Sequence, residues 1–580
     1  MEGNDLIAAI PGICLPLDAE RLAWRSDTGR ERAIIDVRHG PLLQAMGMFR
    51  TRDEHLAEFS RATGMGPSRA GRLLDDLIGL GVVVSAARLL ARRAERAPAL
   101  PEPLLAIRTC RRPQGLARLL DSIDAHERRF GRRRRLLVID DAADADANAA
   151  TAEVVAASAR RRGEPLHLLG PAQRGPVLEF LGAALDPAAR AVLQELIDPA
   201  RPTGRGGGRS WNLAVLAAAG SALSIIDDDI ILPLRMPPGA SAALTFWDAI
   251  SAHKHFYDDD GWRELAECDH DIFAWLGERV GQPVGALLDR DGCDAASLHG
   301  RSIVDLYPLT EDSTVLAAFT GNYGGLAWDS TVYMNFDAMH QSPSLFTEPF
   351  RLERLEANSI WMGVRQPRIL ARAVYTPLML DARGLLPFTT TWGKADDTMF
   401  LGALSALVRM PAYLYAPALI GHFPVEQRGR LARSREPVLF DINAYVGGKL
   451  EALSASFRSQ DREARLAAIG SYACDQAEAS DHDLQDQIAL WRIEQCAHVN
   501  ERLSATLASS PHAPAAWREH LAAIITAQRG ALADANLGAE QVPAVRAAYA
   551  QFGAAARFWP SAYARARDGA LLDVAAVIGG

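Results

Sequence analysis

Three consecutive carboxylates, Asp227, Asp228 and Asp229, close the segment 204–232, GRGGGRSWNLAVLAAAGSALSIIDDDIIL. Residues 224–226 read as a buried strand, and side chains alternate across a strand, so Asp227 and Asp229 are expected to face one way and Asp228 the other. Like charges at the edge of a core cost several kcal/mol per ion unless a cation or donors compensate, and a hard divalent metal with oxygen ligands does so. An isolated acidic triplet is usually a solvated turn. Its place after an apolar helix, a stopping Gly220 and an apolar strand is instead that of a ligand site at the carboxyl edge of an open α/β sheet. Asp140 and Asp141 end a second strand, 135–139, and Asp396 and Asp397 sit in WGKADDTMFLGAL. This last pair suits a general base, or equally the first turn of the helix that follows, where carboxylates are favoured by up to about 1 kcal/mol. His422, in ALIGHFP, offers a nitrogen ligand, although a lone loop histidine is more often a packing residue. His253 and His255 read as structural.

The elements that must position these groups follow an α/β order. Strand 104–107, helix 113–123, strand 135–139 and helix 149–162 give βαβα from residue 104. The glycine loop 204–208 lacks the Lys-Ser/Thr pair of a phosphate-binding P-loop. The run Arg132 to Arg135 has no interleaved aromatics and reads as a solvated turn. Ahead of this unit, residues 1–95 carry a hairpin pattern around SDTGR, three helical patterns (40–49, 51–63 and 68–80) and a strand at 82–84, which together make a small winged-helix domain. A proline-bearing linker, 96–103, separates the two. Residues 243–308 form an insertion with Trp247, Phe256, Tyr257, Trp262 and Trp275, which suit core packing better than an acceptor platform. GNYGGLAWD (321–329) reads as a tight loop. Residues 426–580 have helical spacing and suit a scaffold or a dimer surface.

Composition narrows the class. The 580 residues imply about three domains, and a formal net charge of -9 argues against a field that holds nucleic acid. Six scattered cysteines predict a reducing cytoplasm without a disulfide framework. The acidic start, MEGNDLIAAIPG, is unlike a signal peptide, and no apolar run reaches the roughly 20 residues that span a bilayer.

Two stretches resemble known families. LDAERLAWR, AIIDV, GPLLQAM and SRAGRLLDDLIGLGVVV make the first 90 residues similar to the RiPP recognition element, the winged helix that binds leader peptides in enzymes modifying ribosomal peptides. The resemblance implies that a peptide adds as a strand along 33–37, at Ala33, Ile35 and Val37, and lies against helix 68–80 with Arg69 and Arg72 beside it. A DNA-reading winged helix and a purely structural domain are the competing readings. LLAIRTCRRPQGLARLLDSI, LLVIDDAADADANAATAEVV, GRSWNLAVLAAAGSALSIIDDD and WGKADDTMFLGAL, in that order over 104–425, resemble inverting glycosyltransferases of the GT-A fold, a mostly parallel open sheet. That resemblance implies a nucleotide-sugar donor, held at its base and ribose by Arg108, Thr109 and Asp140 or Asp141, and nearer the sugar-phosphate by Arg209, Asn212, Asp227 and Asp228. It also implies a divalent metal (Mg2+ or Mn2+) on Asp227, Asp229 and His422, and a catalytic base at Asp397, with Asp396 second. The combined expectation is a cytoplasmic glycosyltransferase acting on a precursor peptide, with no integral membrane contact and a homodimer possible through the C-terminal helices. A transferase acting on a polysaccharide or glycolipid precursor, and a non-catalytic peptide-binding or regulatory protein, are the alternatives.

Overall fold

The computed structural model describes residues 5–198, 207–246, 253–256, 261–304, 306–307, 309–324, 360–373, 376–425, 440–457, 459, 461–532, 537–569 and 571–578. Gly204, Trp247, Tyr257 and residues 325–329 of the expected tight loop lie outside them, as do residues 426–439.

The N-terminal stretch builds two small antiparallel sheets. β1 (Leu6–Ala9) lies between β5 (Arg50–Thr51) and β6 (Val83–Ser85), while β2 (Gly12–Pro16), β3 (Arg21–Ser26) and β4 (Arg32–Asp36) form a meander. The hairpin joining β3 to β4 falls on SDTGR, as its Asp and Gly predict. Helices Arg52–Thr63 and Pro67–Gly79 also fall where the pattern puts them. Thr51 and Glu54 cap the first reciprocally, and Pro67 opens the second without losing a hydrogen bond. β1 and β2 precede the hairpin around SDTGR and have no sequence pattern of their own. Four residues, LIAA, are too few to show a period, and it is pairing on both sides that makes them a strand.

This unit is seated on the body of the protein. The Phe49 amide donates to the Arg301 carbonyl at 2.8 Å, the Gly300 amide donates to the Phe49 carbonyl at 2.7 Å, and Ile7, Leu74 and Leu89 share one buried cluster with Leu116, Leu287 and Leu306. The proline-bearing stretch 96–103 has no regular secondary structure, yet it is fixed: the Gln282 side chain accepts from the Ala97 amide at 3.0 Å and donates to its carbonyl at 2.9 Å.

The body is a mixed α/β structure around a sheet of 13 strands among the described residues. β7 (Leu104–Thr109), β8 (Leu136–Asp140), β9 (Leu166–Leu169) and β10 (Ala222–Asp227) run parallel in the spatial order β9-β8-β7-β10. β11 (Ile230–Arg235), β12 (Thr245–Phe246), β13 (His253–Phe256), β14 (Val315–Gly324), β15 (Ile360–Gly363), β16 (Arg368–Leu370), β17 (Met379–Asp381), β18 (Ala412–His422) and β19 (Ala576–Ile578) complete it. The expected mostly parallel sheet is therefore corrected to a mixed one. The chain returns to the free edge of β10 from its far end, so β17 pairs with β10 antiparallel and β14 pairs with β17 antiparallel. Alternation along β7 assigns the two faces. Leu104 and Ala106 pack in a cluster with Trp211, Phe400 and Trp559, whereas Leu105 and Ile107 pack with Leu116, Ile123 and Val155.

The C-terminal region is helical, as its spacing predicts, and is built into the first of these clusters. On helix Val542–Asp568, Val545, Phe552 and Trp559 are fully buried, each worth about 1.5–3 kcal/mol. The Trp559 indole donates to the Leu386 carbonyl at 2.8 Å and the Tyr563 hydroxyl to the Ala382 carbonyl at 2.7 Å. Among the described residues, no helix is long and apolar enough to cross a membrane.

Candidate functional site at the carboxyl edge of the parallel strands

Parallel register brings the acidic groups level. Asp227 is paired with Arg108, and Thr109 with Asp140, so the ends of β10, β7 and β8 meet along one edge. Helix Pro113–Phe130 starts against that edge so closely that a Cβ on Gly115 would stand 2.9 Å from the Asp228 carbonyl oxygen. From the other side comes helix Gly208–Ala217, whose first residue admits no side chain, since a Cβ there would lie 2.4 Å from the Thr390 carbonyl.

The acidic triplet departs from strict alternation because β10 ends at Asp227, leaving Asp228 and Asp229 in a turn. Each carboxylate consequently meets its own partners. Arg108 holds Oδ1 of Asp227 through Nε at 2.9 Å and through its terminal nitrogen at 2.8 Å, and reaches Asp396 at 2.5 Å with the other. Asp228 accepts from the Thr109 hydroxyl at 2.7 Å and lies 3.3 Å from Arg112, which stands 3.6 Å from Asp229. His422 Nε2 lies 3.1 Å from Asp229 Oδ1, so these two of the three expected metal ligands are adjacent. The positive charge expected at the triplet is in part supplied by two guanidiniums, Arg108 and Arg112.

Electrostatics follow from burial. Asp228 is pushed up to about 6 by burial, which the Thr109 bond and Arg112 only partly offset. Asp141 is also pushed to about 6 by burial against the pull of Arg174 and Arg209, and burial raises Asp140 as well. Burial likewise lifts Asp396, with Arg108 pulling the other way. For Arg108, burial opposes the charge but Asp227 and Asp396 outweigh it and hold the group above its usual range. Arg174, missed in the sequence because helix Pro171–Gly182 carries no motif, donates to the Asp140 carbonyl at 3.0 Å and is pushed down to about 10 by burial. Arg209 is buried on helix Gly208–Ala217, close enough to Asp141 to lower it.

The second acidic pair is carried by a buried strap, Thr389–Thr390–Thr391, clamped by side-chain amides from three helices. Asn212 accepts from the Thr389 amide at 2.9 Å and donates to the Thr389 and Leu196 carbonyls at 3.0 and 3.2 Å. Asn443 accepts from the Thr390 hydroxyl at 2.5 Å, and Gln551 from the Thr391 amide at 3.1 Å. Asn212 is thereby corrected from a sugar-phosphate contact to a strap clamp: it is fully buried and its amide is taken up by backbone. Asp441 accepts from the Lys394 and Ala395 amides at 2.7 and 3.3 Å and caps helix Ile442–Ala452. Asp396 and Asp397 then occupy the first turn of helix Asp396–Leu407, the N-cap being Ala395. Asp397 accepts from the Thr376 hydroxyl and the Thr398 amide, each at 2.7 Å.

Among the described residues the expected peptide edge, β4, pairs only with β3, and Val37, Arg69 and Arg72 are exposed. Ile35 is 1% exposed and its side chain packs in the core, whereas Ala33 is half-buried. Of the insertion's aromatics, Trp262 packs with Tyr323 and Phe423 at ring separations of 5.3 and 5.6 Å, next to His422. Cys268, Asp269 and His270 place three ligand-type atoms together, a group with no motif in the sequence; without a bound ion, burial pushes the Cys268 thiol up to about 11.

No protein-family model matches this chain, and no curated protein and no solved structure matches it either.

Proposed function

We infer that the chain is a glycosyltransferase of the GT-A type that uses a nucleotide-sugar and a divalent metal, and that its acceptor is a ribosomally made peptide docked on the N-terminal unit. The observation that supports this most is the gathering of Asp227, Asp228, Asp229, Arg108, Thr109 and Asp396 at the carboxyl ends of β7 and β10. Residue chemistry suits a hard cation. Arg108 takes only Oδ1 of Asp227, and Asp229 lies against His422, so carboxylate oxygen and imidazole nitrogen are both on hand. A bound Mg2+ or Mn2+ would supply Lewis-acid stabilisation of the departing diphosphate. Arg108 and Arg112 add cationic donors for phosphate oxygens, and Asp397, fixed by Thr376 and the Thr398 amide, is the base for the acceptor proton.

The test is donor turnover by the full chain with Mn2+ or Mg2+ and a panel of nucleotide-sugars. Asp229→Asn is expected to abolish metal-dependent donor binding with the thermal midpoint preserved, and unchanged binding overturns the metal assignment. Asp397→Asn is expected to spare donor binding and stop transfer. The N-terminal unit's shared core favours a second reading, in which that unit is structural and the acceptor is a polysaccharide or glycolipid precursor. Val37→Asp with Arg69→Glu separates the two: it weakens transfer to a peptide acceptor and leaves transfer to a glycan acceptor untouched. Deleting residues 1–95 would not separate them, because it strips the body of part of its core.

A further inference from the structure

One cation at the strand edge serves two carboxylates from distant parts of the chain. The parallel register that pairs Arg108 with Asp227 sets guanidinium and carboxylate level on neighbouring strands, and Arg108 holds Oδ1 of Asp227 through Nε at 2.9 Å and Nη2 at 2.8 Å. Its remaining nitrogen, Nη1, donates to Asp396 Oδ2 at 2.5 Å, in the first turn of helix Asp396–Leu407. The planar guanidinium fork permits this double grip, which a single ammonium does not.

The bridge is walled in on one side and open on the other. Arg108 lies over the buried Trp211 ring, 5.0 Å from its centre, and a Cβ on Gly207 would stand 3.5 Å from Nη1 and 3.4 Å from Asp396 Oδ2. The Arg108 and Asp396 side chains are 14% and 11% exposed, whereas that of Asp227 is 40% exposed. Asp227 is therefore the end of the bridge that an ion from solvent reaches, and it is also one of the expected metal ligands. A divalent ion on that carboxylate would share it with a fixed positive charge that is buried and so only weakly screened.

We propose that Arg108 is the resident counter-cation of the metal site: it joins Asp227 to Asp396 in the ligand-free chain and opposes the entry of a divalent ion at Asp227. The inference rests on the metal reading of Asp227 given above. A purely structural clamp would fasten β7 to helix Asp396–Leu407 and leave metal affinity unchanged.

The experiment follows the electron paramagnetic resonance signal of free Mn2+ during titration with the full chain, so binding is read without turnover. Arg108→Met is expected to tighten Mn2+ by about tenfold or more relative to the parent. Arg108→Lys keeps a cation inside and guards against misfolding. Its ammonium holds one carboxylate at a time and stays with the more buried Asp396, so Mn2+ should tighten here as well. In an Asp227→Asn background neither substitution should change Mn2+ affinity, because the carboxylate contested by the two cations is gone. Thermal midpoints verify folding, and if Arg108→Met does not fold, Arg108→Lys decides alone. Mn2+ bound equally by the parent and the folded Arg108 variants, or a gain that persists in the Asp227→Asn background, overturns this inference and leaves the metal reading in place. Mn2+ that stays free with the parent and every variant overturns the metal reading and this inference together.

Discussion

Asp228 tests the electrostatic reading of the site without any ligand. It is 2% exposed, accepts from the Thr109 hydroxyl at 2.7 Å, and is raised from 3.8 to about 6 by burial. A carboxyl with a higher value in the folded than in the unfolded state binds more protons when native. Stability therefore declines as pH rises from about 4 to about 6, and the full cost is borne above that window. Two units at about 1.4 kcal/mol each set the cost near 3 kcal/mol. Asn has the same shape and keeps an oxygen for Arg112, while the Thr109 hydroxyl can rotate to accept from the amide. Asp228→Asn is thus expected to stabilise the protein by up to about 3 kcal/mol near neutrality, with the gain shrinking to nothing toward pH 4. Asp141 titrates in the same range but is common to both proteins, so it cancels in the difference. The assay is a pairwise comparison of thermal midpoints through a pH series. A gap that does not change with pH, or a variant less stable than the parent near neutrality, refutes the argument.

Two further outcomes follow from the strap and its helix. Asn212→Ala removes the partner of three buried backbone groups and should cost on the order of 3 kcal/mol, read from denaturant midpoints; a variant of normal stability but weakened donor binding would restore the role first expected of this residue. Gly402→Ala would place a Cβ 2.2 Å from the Gly447 carbonyl, so helices Asp396–Leu407 and Ile442–Ala452 must separate, with a loss of about 1–3 kcal/mol in the same assay. An unchanged midpoint would show that this crossing does not position Asp396.

The legible parts of the chain are those in which local pattern and tertiary role coincide. LLAIRT, LLVID and ALSIID are apolar runs closed by polar residues, and they are the parallel strands. Asp and Gly placed the β3–β4 hairpin, and Thr51 with Glu54 placed a helix start. Illegible were the contacts that join distant segments. Arg108 at a strand end looks generic, yet it bridges Asp227 to Asp396, 288 positions further along. Asn443 and Gln551 carry no motif, and their role exists only because three helices converge on Thr389–Thr391. The alternation drawn through the acidic triplet failed for a local reason, since the strand stops one residue too early for period two to reach Asp229. That failure changes how the site is balanced more than what it attracts. Asp227, Asp228, Asp229 and Asp396 are contacted by two guanidiniums, Arg108 and Arg112, so the carboxylates of this cluster outnumber the guanidiniums that touch them. A divalent ion entering there would be attracted by that excess, while a diphosphate would be drawn by the two arginines. On the function proposed above, a metal–diphosphate pair would satisfy both demands where either alone would leave one unmet.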